Sequence, residues 1–356
     1  MYNTSMTLSE LLLELHINYL SPLRETATDN NLSSSQLLCI SSIPYSGITQ
    51  TNLANKLSQS KNDVTLLVRK KTDLWRVNHE ISKSKIKYVD ILNKKDLFNK
   101  IKEIKPDVVY HSATYGIHPS QKDYENVIRT NLIGTNNLLE SLSRYNDLQK
   151  FVNIGTAFEY GSKKEPLKET DMPNPRTFYG ITKNAQTNIS QYFASKKNLP
   201  TISFRIFSTY GRYDEPGRLI SDLMYSMINK TKVNITSKNT VRDLIYIDDV
   251  IDALLLGSRK KSPVGEIFNI GTGKGYSLKQ IVEILQDITN EKLNISWGNR
   301  DKIREFDKTG GKSVANIKKS KQILKWKPKN SIKDGLIKTY NWFSKNIEMY
   351  HKFYPN

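Results

Sequence analysis

Tyr179 and Lys183 stand four residues apart in TFYGITKNAQ, residues 177–186, at the start of a stretch with helical patterning. Four residues is just over one helical turn, so the phenol and the ammonium would lie on one face and could act on one bound group. A cation beside a phenol favours its phenolate form, which would make Tyr179 a usable acid or base near neutral pH, as carbonyl and alcohol chemistry requires. A lysine-rich surface helix would carry such a pair by chance, so the pair needs support from elsewhere in the chain. The stretch FVNIGTAFEYG, residues 151–161, supplies some: it reads as a short buried strand that ends in a small hydroxylic residue, Thr156, and a turn.

Chemistry of this kind needs a scaffold that brings distant residues to one edge. From Gln36 onward, short apolar runs alternate with helical patterns: LLCIS near Leu37, VTLLVRK from Val64, IKYVD from Ile86, DVVYHSA from Asp107, KFVNIG from Lys150 and TISFRIF from Thr201. The alternation predicts an α/β fold, a doubly wound parallel sheet with helices on both faces. Such a sheet takes its ligand at the carboxyl ends of the strands. Residues 1–35 read as an addition, with Leu8, Leu11, Leu12 and Leu15 at helical spacing and a polar linker behind them.

Composition narrows the function classes. The 356-residue chain carries a formal net charge of +19, enough to suggest an anionic partner. Its lysines are spread along the chain in pairs and no nucleic-acid motif is present, so the expected partner is a small diphosphate-bearing substrate, with no nucleic acid. No apolar run reaches the ~18 residues of a membrane span, and no secretory pattern opens the sequence; the expected location is cytoplasmic, without a membrane. One cysteine, Cys39, and five scattered histidines offer neither an internal disulfide nor a metal cluster.

A strand end, a threonine and then a Tyr-Lys helix form the catalytic trio of the short-chain dehydrogenase/reductases. With Thr156, Tyr160-Gly161 and Tyr179 spaced as they are, the chain resembles the extended branch, the NAD(P)-dependent nucleotide-sugar epimerase/dehydratase family. Several motifs in order carry the resemblance from about Gln36 to Phe343. HSATYG from His111 is similar to the family's H-x-A-A segment, NLIGT from Asn131 to its N-x-x-G-T, and FRIFSTYG from Phe204 to its R-x-F-x-x-Y-G. VRDLIYIDD from Val241 and FNIGTGKGYS from Phe268 match two further blocks. The resemblance implies a Rossmann-type domain of residues 36–206 plus 237–270, and a smaller, discontinuous nucleotide-sugar domain of residues 207–236 plus 271–356. It also implies a homodimer.

The same resemblance implies site residues. Tyr179 would move the hydroxyl proton, Lys183 would lower the tyrosine's pKa and orient the nicotinamide ribose, and Thr156 would hydrogen-bond the reacting oxygen. Asp90, Ile91, Ala113 and Asn131 would line the dinucleotide, with His111 structural. Arg242, Arg218 and Arg304 would hold the sugar nucleotide, the first through the bidentate fork that guanidinium makes with phosphate. The first strand-to-helix turn departs from the family pattern: SSIPYSGITQTNL keeps only Gly47 of the glycine-rich loop, beside the hydroxyls of Ser41, Ser42 and Ser46. It would bind dinucleotide through amides and hydroxyls, bind it weakly, or not bind it.

After the second strand stands Arg69, where an acidic residue selects NAD and an arginine accommodates the extra phosphate of NADP. NADP(H) is therefore favoured, with NAD(H) possible. Family dehydratases carry Asp-Glu directly after the threonine, where this chain has Ala157 and Phe158, with Glu159 one place late; dehydration is the least supported outcome. Reduction of a 4-keto nucleotide sugar in a deoxyhexose pathway is the favoured activity, 4-epimerisation the alternative. A non-catalytic sugar-nucleotide-binding protein is the alternative from another class.

Overall fold

Successive residues of a strand point to opposite faces, so a sheet covered on both sides must be apolar at every position, and the central strands here are. Leu66 and Val68 enter one buried cluster and Leu67 the other; Val108 and Tyr110 divide from Val109, and Val152 from Phe151, in the same way. The computed structural model describes residues 36–40, 52–54, 56–57, 62–72, 74–75, 86–117, 121–161, 163, 165–298 and 311–354. The N-terminal extension, Ser41, Gly47 and Arg304 lie outside the described residues.

Seven strands form the main sheet: β1 (Gln36–Ile40), β2 (Asp63–Val68), β3 (Ile86–Tyr88), β4 (Val108–His111), β5 (Lys150–Thr156), β6 (Thr201–Ile206) and β7 (Glu266–Ile270). Their order is β7-β6-β5-β4-β1-β2-β3, and every neighbouring pair is parallel. This is the predicted α/β doubly wound fold, and all six strands read from the apolar runs are present. Ile40 pairs with both Leu67 and His111, and His111 with Asn153. The carboxyl ends of β1, β2, β4 and β5 therefore lie side by side, and the residues just beyond them, Arg69, Ser112 to Thr114 and Thr156, share one edge.

One face is covered by α1 (Lys94–Ile104), α2 (residues 124–142) and α3 (Phe178–Lys197), whose Leu97, Ile101, Leu138, Leu139, Leu142 and Phe193 meet Leu67, Val109 and Phe151. Helix α2 runs through three consecutive segments, Tyr124–Ile128, Arg129–Gly134 and Thr135–Leu142, of which the middle one is a π-turn. A Cβ on Gly134 would strike Ile91 Cδ1, so glycine is what lets this helix approach the sheet edge. Helix α3 begins where the Thr177 hydroxyl accepts from Gly180 N at 3.0 Å and ends at Asn198 in the left-handed region, so Tyr179 falls in its first turn.

The opposite face packs against α5 (Ile247–Gly257) and merges with the core of the C-terminal part, built on α4 (Leu219–Asn229), α6 (Leu278–Thr289) and α7 (Ile332–Asn346). Ser277 caps α6 in a capping box with Gln280. Small parallel pairs join Ser208–Tyr210 to Leu244–Tyr246 and Val233–Ile235 to Ile295–Trp297, and Val241–Arg242 lies between Tyr276–Ser277 and Lys312–Ser313. Among the described residues no helix is long and apolar enough to cross a membrane.

The Asp243 carboxylate ties distant segments of the chain together. Buried completely, it accepts from Thr272 N (2.7 Å), Thr272 Oγ1 (2.6 Å), Gly273 N (2.9 Å) and Ala315 N (3.0 Å). Asp243→Ala removes four bonds to a charged acceptor and should cost about 3 kcal/mol, read as a lower urea midpoint. Thr272→Val, which removes one of them, should cost about 1 kcal/mol in the same measurement.

Candidate active site

Three hydroxyl groups converge beyond the carboxyl ends of β4 and β5. Tyr179 is buried in the first turn of α3, and its phenol has the side chains of Thr156 and Thr114 as hydrogen-bonding neighbours. Thr156 ends β5 in an extended conformation; its N–H donates to Glu159 Oε1 at 2.9 Å and its hydroxyl accepts from Phe158 N at 3.3 Å, which fixes the turn. Phe158 meets the Tyr179 ring edge-on with centroids 6.0 Å apart.

The expected influence of Lys183 on the tyrosine is not what the geometry gives. Its ammonium is 2 % exposed and donates to Ile154 O at 2.6 Å and Gln186 Oε1 at 2.8 Å. Burial brings this lysine down to about 8, against the pull of Glu159. Burial also pushes the Tyr179 phenol up to about 12, with Glu159 acting in the same direction and the hydrogen bonds of Thr114 and Thr156 and the charge of Arg218 opposing it. Helical spacing does put Tyr179 and Lys183 on one face. The lysine's charge, however, is engaged by a strand carbonyl and a neighbouring amide.

Glu159 is withdrawn from the reacting edge. It is fully buried, takes Arg205 Nε on Oε2 at 2.8 Å, and Arg205 in turn stacks 4.4 Å from the Tyr160 ring centroid. Burial raises the Glu159 carboxyl, with Arg205 and the Thr156 amide opposing. A carboxylate bound in this way is not a free acid for elimination of water, in keeping with its late place in the sequence.

Asn131 sits inside the π-turn of α2 with no exposure. Its Oδ1 accepts from Tyr115 N (2.8 Å) and Thr114 Oγ1 (3.2 Å), and its Nδ2 donates to Tyr115 O (2.9 Å) and Thr182 Oγ1 (2.9 Å) on α3. All of its amide groups are engaged within the chain, so it positions the segment after β4 and leaves no polar atom for a dinucleotide. Ile91 and Ala113, also expected at the cofactor, have their side chains in the core, where Ile91 packs on Gly134. Asp90 is exposed and accepts from Leu92 N at 2.9 Å. His111 is structural: Thr135 Oγ1 donates to Asn131 O, so His111 Nε2 donates to Thr135 at 2.8 Å, and burial with the nearby Lys183 charge lowers the imidazole to about 3.

Arg69 follows β2 directly, and its Nε is buried with no hydrogen-bond partner among the described residues. The Thr72 hydroxyl is in the same state, in the turn that Thr72 N closes onto Arg69 O at 2.9 Å. Two unsatisfied polar groups at the end of β2 fit the phosphate or ribose oxygens of a dinucleotide. Arg218 donates to Asp214 Oδ1 (2.8 Å) and Thr209 O (2.9 Å) close enough to influence Tyr179, and Arg242 donates to Val241 O and Gly311 O, both at 3.0 Å. Sequence reasoning missed Thr114 and Thr72. The signal for Thr114 was present: a hydroxyl stands in HSAT where H-x-A-A has a second alanine.

Comparison with known proteins agrees with this fold. The model of the NAD dependent epimerase/dehydratase family matches residues 46–271. A UDP-glucuronate 4-epimerase of Thermodesulfobacterium geofontis is 30% identical over 284 residues, 77% of this chain and 84% of that protein. Among solved structures, an epimerase of Methanothermobacter thermautotrophicus superposes with a TM-score of 0.80 at 22% identity over 95% of this chain and 98% of its own. UDP-glucose 4-epimerase of Thermotoga maritima, solved with UDP-glucose, gives 0.75 at 24% identity over 88% and 99%. A strand-end threonine, a Tyr-Lys helix and a parallel sheet that gathers both at one edge thus belong to a chain of the NAD-dependent epimerase/dehydratase family, the extended branch of the short-chain dehydrogenase/reductases.

Proposed function

We propose that the protein carries out hydride chemistry at C4 of a nucleoside-diphosphate hexose, and that reduction of a 4-keto sugar is its physiological direction. The observation that carries the reading is the convergence of Thr156, Tyr179 and Lys183, residues from β5 and α3, at the carboxyl edge of the sheet. A bound nicotinamide supplies the hydride. Tyr179 gives its proton to the sugar oxygen, Thr156 hydrogen-bonds that oxygen, and Lys183 holds the dinucleotide ribose from the far end of the same helical turn. Arg242 and Arg218 are the proposed grips on the diphosphate. The proposed division of labour is a dinucleotide domain of residues 36–206 plus 237–270 and a sugar-nucleotide domain of residues 207–236 plus 271–356.

One observation favours reduction. Arg69 and Thr72 at the end of β2 offer unsatisfied donors to the additional phosphate of NADPH, the dinucleotide drawn from solution for net reduction. The reading with a separate observation behind it is 4-epimerisation, the activity named for the Thermodesulfobacterium relative, which would keep NAD and return the hydride to the other face of the sugar. Helices α2 and α3 expose Ile128, Ile133, Ile181 and Tyr192, the apolar surface through which we infer a homodimer.

Fluorescence titration with NADPH and NADH, followed by product analysis on 4-keto and 4-hydroxy nucleotide sugars, separates these activities. NADPH should bind tighter than NADH and be consumed one for one with the 4-keto sugar. Interconversion of C4 epimers without net change in dinucleotide would establish the epimerase instead, and binding of neither dinucleotide would leave a sugar-nucleotide-binding protein. Arg69→Gln should weaken NADPH at least about tenfold and leave NADH unchanged, the loss of a charge-assisted pair to phosphate. Tyr179→Phe should abolish turnover while sugar-nucleotide affinity, measured calorimetrically, stays within about twofold; retained turnover would remove Tyr179 from the chemistry.

A further inference from the structure

We propose that Gln186 is the positioning residue of Lys183: with Asn153 behind it, its amide anchors the lysine ammonium so that a single N–H is left for the ribose of a bound dinucleotide. The proposal rests on the C4 oxidoreductase reading above. Its basis is a chain of hydrogen bonds whose direction the lysine dictates. An ammonium only donates, so the Gln186 atom 2.8 Å from Lys183 Nζ is the amide oxygen, Oε1. The amide nitrogen therefore faces Asn153 and donates to its Oδ1 at 2.6 Å. Asn153 Nδ2 is left to donate to Ser203 Oγ at 3.1 Å and Thr187 Oγ1 at 3.4 Å.

The relay runs from α3 through β5 to β6, where Asn153 and Ser203 are paired neighbours in the sheet. All of its members are buried, and two amides at that depth cost desolvation that an apolar pair would not. The group that requires a polar acceptor there is the ammonium, which Lys183 carries on a flexible four-carbon stem. One acceptor, Ile154 O on β5 at 2.6 Å, would leave the nitrogen free to swing about it; Gln186 Oε1 on α3 is the second, and the two fix its place. Two of the three ammonium hydrogens are then spent, and the third has no acceptor among the described residues. That third donor is the one that ribose hydroxyls would take.

The acceptor's neutrality also matters. A carboxylate at position 186 would hold the charged form of the lysine, whereas an amide lets burial bring it down to about 8. The charged and titratable groups nearby are engaged otherwise: Glu159 takes Arg205 Nε at 2.8 Å, burial holds His111 neutral, and burial pushes the Tyr179 phenol up to about 12. Gln186 and the Ile154 carbonyl are the direct contacts of Nζ among the described residues.

The test is the affinity for NADPH alone, followed by fluorescence across pH, in Gln186→Met and Gln186→Glu. Gln186→Met keeps the length of the side chain and removes the acceptor, so the charged lysine loses a hydrogen bond. NADPH should then bind about tenfold more weakly at neutral pH, and the alkaline limb, where Lys183 gives up its proton, should move down by about one pH unit. Gln186→Glu sets a carboxylate on the ammonium and should move that limb up by about as much; Asn153 meets it by turning its amide, since the Ser203 and Thr187 hydroxyls donate as well as accept. If Gln186→Met does not fold, Asn153→Ala, which releases the Gln186 amide, takes its place and should move the limb in the same direction. A readout that needs no ligand is the 13Cε resonance of Lys183, assigned through Lys183→Met, whose titration should shift with the limb. If either the limb or the resonance titrates alike in the variants and the unaltered protein, the proposal is overturned, because a merely structural glutamine lowers the unfolding midpoint without touching them. A resonance whose titration shifts in a protein that binds no dinucleotide would uphold the Gln186 anchor and reject the C4 reading.

Discussion

One buried amide governs the reacting edge. Asn131 has two donor hydrogens and two acceptor lone pairs, and the chain fills all four: two with the backbone of Tyr115, one with Thr114 and one with Thr182. Those partners belong to the exit of β4 and to α3, so a single side chain fixes their separation. It reaches inward because α2 widens into a π-turn at Arg129–Gly134, a local irregularity that α-helices carry most often at functional sites. An apolar residue there would leave the Tyr115 N–H and its carbonyl without these partners, and an ordinary helical turn would rotate the amide away. The π-turn and the polar network explain one another.

Charge is arranged around the same edge by pairing within the protein. Arg205 neutralises Glu159, and that pair also holds the Thr156 turn through its backbone N–H, so an ionised carboxylate serves the geometry of a neutral hydroxyl. Lys183 satisfies its ammonium on a strand carbonyl and an amide. The result is a phenol flanked by neutral hydroxyls, a setting in which proton transfer to a ligand oxygen meets little competition. Asp243 ties the Val241–Arg242 strand to the loops at Thr272 and Ala315, while the Arg218 guanidinium donates to Asp214 and Thr209 O and the Arg242 guanidinium to Val241 O and Gly311 O.

Much of this was legible in the residues. The alternation of apolar runs with helical patterns marked every strand of the main sheet that the apolar runs had singled out, because a strand buried on both faces must be apolar throughout. Motifs in a fixed order carried the family. Ile91 and Ala113 were harder: the same small or apolar residue serves beside a cofactor or inside a core, and only packing against Gly134 and the α1 to α3 face assigned them to the core.

By itself the sequence determined what depends on near neighbours: the periodicity of strands and helices, the start of α3 at Thr177, and the placement of Tyr179 and Lys183 on one helical face. Tertiary structure alone decided what depends on contacts across the chain. Thr114 and Tyr179 are far apart in sequence and meet only because β4 and β5 are adjacent parallel strands whose exits share an edge. Burial pushes the phenol up, and the Lys183 ammonium finds the Ile154 carbonyl; helical spacing contains neither. Spacing fixes which groups can face one another; desolvation and competing hydrogen-bond partners fix what their protons do.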